Sequence, residues 1–253
     1  MSTDKIDIVF EDEYCVVINK PSNMPSAPLI ASEKNTALNF VASVFPGVME
    51  IRGKKLIEGG LLHRLDTDTN GLLLFAKKQC FYDGIIEVQK NNLFIKEYTA
   101  ECEIIKNYAQ IMQGFPPEPI SLTNLLNKKT YSFSVTSFFR AYGPNRKVVR
   151  PVNDKSSVMS KKKCKNDRKY TTEILLNSIN NNTVIAKCSL YTGFRHQVRC
   201  HLAWCGLPII GDKLYNPNYM SNKVDNLKTN LRFTATKLSF FHPIIKKTIV
   251  VEL

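Results

Sequence analysis

No Cys-x-x-Cys pair occurs among the seven cysteines (Cys15, Cys80, Cys102, Cys164, Cys188, Cys200 and Cys205), which are odd in number and scattered. Neither a disulfide framework nor a zinc ribbon is indicated, and a reducing cytosol fits. No segment approaches the ~18 apolar residues of a membrane span. The N-terminal "MSTDKIDIVFEDEYC" puts acidic residues where a secretory leader needs a basic head and an apolar stretch. The expectation is a soluble, unexported, cytoplasmic protein. A P-loop, a dinucleotide fingerprint and a Ser-centred nucleophile elbow are missing too, which argues against nucleotide-driven and hydride-transfer enzymes. Repeats of fixed period are absent. Acidic charge is also in deficit, with 22 Asp and Glu against 35 Lys and Arg, a net +13. Such an excess attracts polyanions at long range and makes their binding fall with salt, so nucleic acid is the first partner to consider. The bland alternative is that the charge only keeps the protein soluble.

At 253 residues the chain can bury a large core, and a single domain is expected. Residues 6–10 and 14–18 are apolar, β-branched runs split by Glu11, Asp12 and Glu13, which reads as a hairpin. Residues 36–45 carry Leu38, Val41 and Phe45 at helical spacing, ended by Pro46-Gly47. Residues 72–76 are a continuous apolar run, consistent with a doubly buried strand entered through a tight Asn70-Gly71 turn. From residue 96 to 104, Tyr98, Ala100, Cys102 and Ile104 share one parity and Glu97, Thr99, Glu101 and Glu103 the other. That is a strand with one wet face, and Tyr98 points inward. Residues 131–135, 170–176, 183–190 and 233–241 are further strand candidates, with "NSINNNT" (177–183) a polar turn. The strand-rich pattern with few helices is α+β rather than a βαβ repeat. "KSSVMSKKKCKNDRK" (155–169) reads as a basic, mobile insertion that is either a solvated loop or a contact for a nucleic-acid backbone.

Two stretches gather chemistry-bearing residues. In "HRLDTDTNGLLLFAK" (63–77), Asp66, Asp68, Asn70 and Gly71 match the first half of a calcium-binding loop. The twelfth position, where a bidentate Glu is needed, is Lys77, and the intervening leucines suit a buried strand, so calcium is disfavoured. In "TGFRHQVRCHLAWCGLPIIGD" (192–212), His196, Cys200, His201 and Cys205 offer zinc-ligand types, but at no common spacing. Val198, Leu202 and Cys205 form an apolar stripe on a helix ended by Gly206 and Pro208, so core cysteines and a packed histidine are the better reading. What remains is an aspartate flanked by Arg64, and a distant helix bearing Arg195 and Arg199. A carboxylate kept ionised inside a pocket needs a cation, because desolvation alone neutralises it, and arginine supplies one bidentately.

At these residues the chain resembles the RluA-type pseudouridine synthases, which convert uridine in RNA to its C-glycoside isomer. "HRLDTDTNGLLLFAK" is similar to the family's catalytic stretch, HRLD followed by x-x-T-S/N-G-L-L-L-x-A-K. "VVINKPSNMPSAP" resembles its Lys-Pro segment, "KEYTAECE" the strand with an active-site tyrosine, "TGFRHQVRCHLAWCGLPIIGDKLY" the H-Q-I/V-R helix with its trailing Gly-Asp and Tyr, and "LSFFHP" the closing strand. The resemblance implies a mixed, mostly antiparallel central sheet flanked by helices. It implies Asp66 as catalytic aspartate, Arg199 as its ion-pair partner and Tyr98 as the ring packed on the target base, with Arg64, His63 and Arg195 toward substrate. Where the family has G-R-T/S-H-Q, this chain has Gly193, Phe194, Arg195, His196 and Gln197, so an arginine contact is lost at Phe194 or passed to Arg195. An S4 RNA-binding domain common in larger members is not expected, since the catalytic similarity begins near the N-terminus.

The implied reaction breaks a C–N glycosidic bond, turns the uracil while it stays bound, and joins C5 to the same sugar. It needs no redox change, no metal and no small-molecule cofactor. The nucleotide must be flipped out of its stack at a cost of a few kcal/mol, offset by stacking and backbone contacts. Asp66 acts either as a nucleophile on carbon or as a base toward a ribose proton, two roles that sequence leaves open. The implied partner is structured rRNA or tRNA, bound by a monomer. The alternatives are a basic RNA-binding module without catalysis and, third, a metal-dependent nuclease built on Asp66, Asp68, His196 and His201.

Overall fold

The computed structural model describes residues 6–105, 113–120, 131–164, 167–177, 182–220 and 229–253. The chain clusters into two compact units, Met1–Tyr98 with Thr234–Leu253, and Thr99–Phe233. Most of the "NSINNNT" turn lies outside the described residues.

Unit one opens with the expected hairpin, β1 (Asp7–Glu11) and β2 (Cys15–Lys20). Asp12 shapes its turn, Oδ1 accepting the backbone N–H groups of Tyr14 and Cys15 at 2.7 and 2.8 Å. Helix α1 (Ala37–Val44) starts where Thr36 accepts the Asn39 N–H and buries Ala37, Leu38 and Val41. Strand β3 (Asn70–Ala76) pairs antiparallel with β2 and parallel with β9 (Phe233–His242), against which β10 (Lys247–Glu252) folds back. The strand order is β1-β2-β3-β9-β4, with β4 spanning Phe94–Glu103. Leu72, Leu74 and Ala76 join Phe81, Ile85, Phe94, Leu238 and Phe240 in one core cluster, and Leu73 and Phe75 are equally buried. Helix α2 (Gln79–Lys90), which the sequence reading passed over, supplies Phe81, Tyr82, Ile85 and Val88 to that core.

The tight turn falls three residues earlier than expected, at Thr67-Asp68 rather than Asn70-Gly71. The Thr69 N–H donates to the Asp66 carbonyl at 3.1 Å, so Thr67 and Asp68 sit at the turn's centre while Asn70 and Gly71 already belong to β3. Gly71 is required there for a different reason. Its φ is +117°, and a Cβ would collide with the backbone carbonyl of Ala235 on the parallel neighbour β9.

Unit two is a sheet in the order β4-β8-β7-β5-β6, from β5 (Tyr131–Tyr142), β6 (Val148–Val152), β7 (Tyr170–Asn177) and β8 (Thr183–Leu190), with β6 and β7 on opposite sides of β5. Its β5–β6, β5–β7 and β7–β8 ladders are all antiparallel. The expected α+β class with a mostly antiparallel sheet therefore holds. Within the basic 155–169 segment, Val158–Lys162 forms a short exposed helix, α3, capped by Ser157. Helix α4 (Gln197–Trp204) is buried on every side, not only along the apolar stripe read from its sequence.

Candidate active site

Asp66 is half-buried, and the backbone on both sides of it is anchored by the Lys-Pro segment. Before it, Ser26 Oγ accepts the Leu65 N–H at 2.9 Å and donates to the Leu65 carbonyl at 2.8 Å. After it, the fully buried Lys20 donates to the Thr67 carbonyl at 3.2 Å, and to those of Pro21 and Met24 at 2.8 and 2.7 Å. The aspartate is therefore held by its neighbours' backbone. Burial pulls the Lys20 ammonium down to about 8, opposed by the charges of Asp66 and Asp68. Sequence quoted this Lys-Pro segment only as a resemblance; its role as a clamp is a finding of the structure.

On β4 the expected parity is observed, residues alternating buried and half-buried from Phe94 onward. Tyr98 is buried, and its phenol is pushed up by that burial and by the negative charge of Asp66. The two groups thus sense each other within unit one. His63 is neutral over a wide range, lowered to about 3 by burial and by the positive charge of Lys96. Its Nε2 accepts the Leu74 N–H at 3.2 Å, which places the ring proton on Nδ1, and that atom has no partner. Arg64 is exposed and pairs with Glu58 at 3.2 Å. A surface pair of this kind is worth ~0–1 kcal/mol.

In unit two, His196 ends the approach to α4 in a left-handed conformation (φ 56°), and its Nδ1 lies 3.0 Å from the Tyr215 hydroxyl. Arg199 is buried and gripped by the buried Asp212 in a fork, Nε to Oδ2 at 2.8 Å and Nη2 to Oδ1 at 2.7 Å. Asp212 is itself held, since Oδ1 also accepts the N–H groups of Leu214 and Tyr215. Sequence quoted the Gly-Asp that follows the helix but gave Asp212 no task. Phe194, the departure from the family pattern, stacks on Phe139 with ring centroids 5.0 Å apart and packs on Tyr170, so an apolar stack occupies the place. Arg195 is exposed and donates to the Arg146 carbonyl at 2.6 Å.

Asn70 Oδ1 is engaged by the Thr234 hydroxyl at 3.1 Å within a strand pair, and the Lys20 ammonium feels the charges of Asp66 and Asp68. His201 is flanked by the hydroxyls of Ser137 and Thr172 at 2.9 and 2.8 Å, the packed histidine expected. Among the described residues the one grouping of potential ligands is Asp12, Cys15 and His242. There His242 Nδ1 accepts the N–H groups of Ile244 and Ile245, so Nε2 carries the proton, which points at Asp12 Oδ2, 3.1 Å away. A histidine so used pins the β9 end to the first hairpin turn rather than offering a lone pair.

The solved structures this chain resembles bear out the strand-rich α+β fold. The chain aligns with human RNA pseudouridylate synthase domain containing 1 at TM-score 0.64 and 17% identity, covering 100% of this chain and 84% of that one. With human RNA pseudouridylate synthase domain containing 4 the TM-score is 0.60 at 19% identity, over 97% and 87% of the two chains. The RNA pseudouridylate synthase family model matches residues 14–204, and the chain belongs to that family. Among curated relatives it is 28% identical over 249 residues to the ribosomal large subunit pseudouridine synthase D of Zymomonas mobilis, covering 96% of this chain and 67% of that protein. It is also 28% identical over 242 residues to an uncharacterized RNA pseudouridine synthase of Mycoplasma pneumoniae, covering 96% and 64%. The chain thus spans about two thirds of the length of the curated relatives it matches.

Proposed function

We propose that this protein isomerises a specific uridine of ribosomal or transfer RNA to pseudouridine in the cytoplasm, as a monomer and without a cofactor. The observation that carries this reading is the Asp66 turn, clamped through Leu65 and Thr67 and electrostatically coupled to the buried Tyr98. The name of the Zymomonas mobilis relative favours ribosomal RNA. The seven free thiols suit a reducing compartment.

In this reading Tyr98 packs on the extruded base, exposed Arg64 exchanges Glu58 for the RNA, and His63 and Arg195 lie toward the substrate. Asp66 provides the carboxylate that starts the cleavage of the C1′–N1 bond, as nucleophile or as base. Its counter-charge is assigned to Arg199 on the resemblance of the H-Q-V-R helix. The Asp212 fork suits that task, because it fixes the guanidinium plane before substrate arrives.

The test is Asp66→Asn and Asp66→Ala, assayed for pseudouridine on bulk unmodified RNA and for RNA affinity by filter binding. Both variants are expected to fold and to bind RNA normally while forming no pseudouridine. Turnover near that of the parent protein refutes the assignment, and a parent protein that binds but never converts uridine leaves the RNA-binding module in its place.

A further inference from the structure

Lys96 lies two residues before Tyr98 on the inward face of β4 and is only 8% exposed. Among the described residues its ammonium makes no hydrogen bond and no ion pair; its close neighbours are the Phe94 ring, with the centroid 5.5 Å away, and the neutral His63. Burial with no carboxylate to offset it lowers this ammonium to about 8. A buried lysine charge costs several kcal/mol unless something compensates it. Beside it the His63 Nδ1–H is a second buried donor without an acceptor. This corner of unit one is therefore rich in donors and short of an acceptor.

We propose that Lys96 contacts the substrate and takes up the negative charge that appears on the uracil oxygens when the C1′–N1 bond breaks. The inference rests on the function proposed above. Cleavage leaves the electron pair on N1, spread over the carbonyl oxygens O2 and O4. Joining C1′ to C5 then releases the C5 proton and returns a proton to N1, so the charge exists only between the two bond changes. An ammonium with no anion of its own complements that transient state better than neutral uridine, which is differential binding in favour of the reaction. The base is favoured over a phosphate because residues i and i+2 of a strand share a face, so a ring stacked on Tyr98 presents its edge to Lys96. The surroundings are also aromatic and buried, whereas a phosphodiester carries its charge throughout.

The test uses Lys96→Met, Lys96→Gln and Lys96→Arg in single-turnover assays of C1′–N1 bond cleavage on RNA carrying uridine or 5-fluorouridine at the target, with RNA affinity measured separately. Cleavage is read because the fluorinated C5 has no proton to release. Loss of one such charge-stabilising group is expected to slow Lys96→Met and Lys96→Gln by about 10²–10³-fold at saturating RNA, with affinity nearly unchanged. Lys96→Arg recovers at least part of the rate because the charge returns. Fluorine makes uracil a better leaving anion, so the penalty shrinks with 5-fluorouridine. A loss of affinity with an unchanged saturated rate overturns the proposal in favour of a phosphate contact. An equal penalty on both substrates, or no rescue by arginine, overturns it in favour of a packing role. If Asp66→Asn is dead while Lys96→Met turns over normally, this inference alone fails; if Asp66→Asn turns over, the function itself does.

Discussion

The two units treat their buried polar groups differently. In unit two, helix α4 is wholly buried yet its polar side chains are met. Gln197 donates to the Thr171 carbonyl and the Thr172 hydroxyl, Arg199 sits in the Asp212 fork, and His201 lies between two hydroxyls. In unit one, among the described residues, His63 Nδ1 and Thr69 Oγ1 are buried without partners, and Lys96 is buried without an anion. Leaving such groups unmet costs ~1–3 kcal/mol each, a cost a fold tolerates where a ligand later supplies the partner. Arg140 Nε is the exception in unit two, although the same guanidinium donates to the Gly114 carbonyl. The contrast separates a unit whose buried polar groups are mostly met from one that leaves several unmet among the described residues.

The largest effect is expected from breaking the satisfied side. Asp212→Asn removes the charge opposite a guanidinium that is only 2% exposed. Stranding a buried ion in this way costs about 3–5 kcal/mol. The urea midpoint should fall accordingly, and pseudouridine formation should fall with it. A loss below about 1 kcal/mol would mean that the pair is solvated and that its rigidity is not a property of the fold.

A smaller effect is expected in unit one from the clamp beside Asp66. Lys20→Met keeps the volume but strips three carbonyls of their donor, those of Pro21, Met24 and Thr67. A stability loss of about 2–3 kcal/mol is expected. Turnover should drop more than RNA affinity, because the Thr67 side of the aspartate turn loses its anchor. Equal losses in both would show that Lys20 supports the whole RNA-binding surface rather than the turn.

How much of this was legible in the sequence depends on whether the signal was local. The alternation along β4, the doubly buried Leu72–Ala76 run and the Leu38 and Val41 spacing of α1 were readable because each is set by neighbours in the chain. One glycine misled. Asn70-Gly71 looked like a turn, but Gly71 is there to let Ala235 of β9 approach. Helix α2, which the sequence reading passed over, packs Gly84 where a Cβ would stand 2.5 Å from the Pro243 side chain. Of the site, Asp66 and Tyr98 could be named from motif and parity. Lys96 shares the inward parity of Tyr98, a signal that was available. Asp212 and the Lys20 clamp depend on partners that no sequence spacing reveals.

The finest comparison sets His63 against His201, both lowered to about 3 mainly by burial. An ordinary histidine titrates near 6.5 in the unfolded chain. Between those values the unfolded chain binds a proton that the folded one refuses, so folding stability falls as pH falls through this window. From pH 7 to pH 5 each histidine is expected to remove about 2 kcal/mol. The two should differ below that. His201 lies between hydroxyls that can turn to accept a second N–H, whereas His63 Nε2 faces the Leu74 N–H and cannot gain a proton without losing that bond. Urea titrations at pH 7, pH 5 and about pH 4 on His63→Leu and His201→Leu read both the shared and the differing part, because the pH differences cancel the fixed cost of each substitution. Each variant should flatten the acid slope by its own share, with His63→Leu giving at least as much relief. An unchanged slope in His201→Leu would mean that His201 already carries its proton or meets water, and the satisfied character of unit two would fall with it.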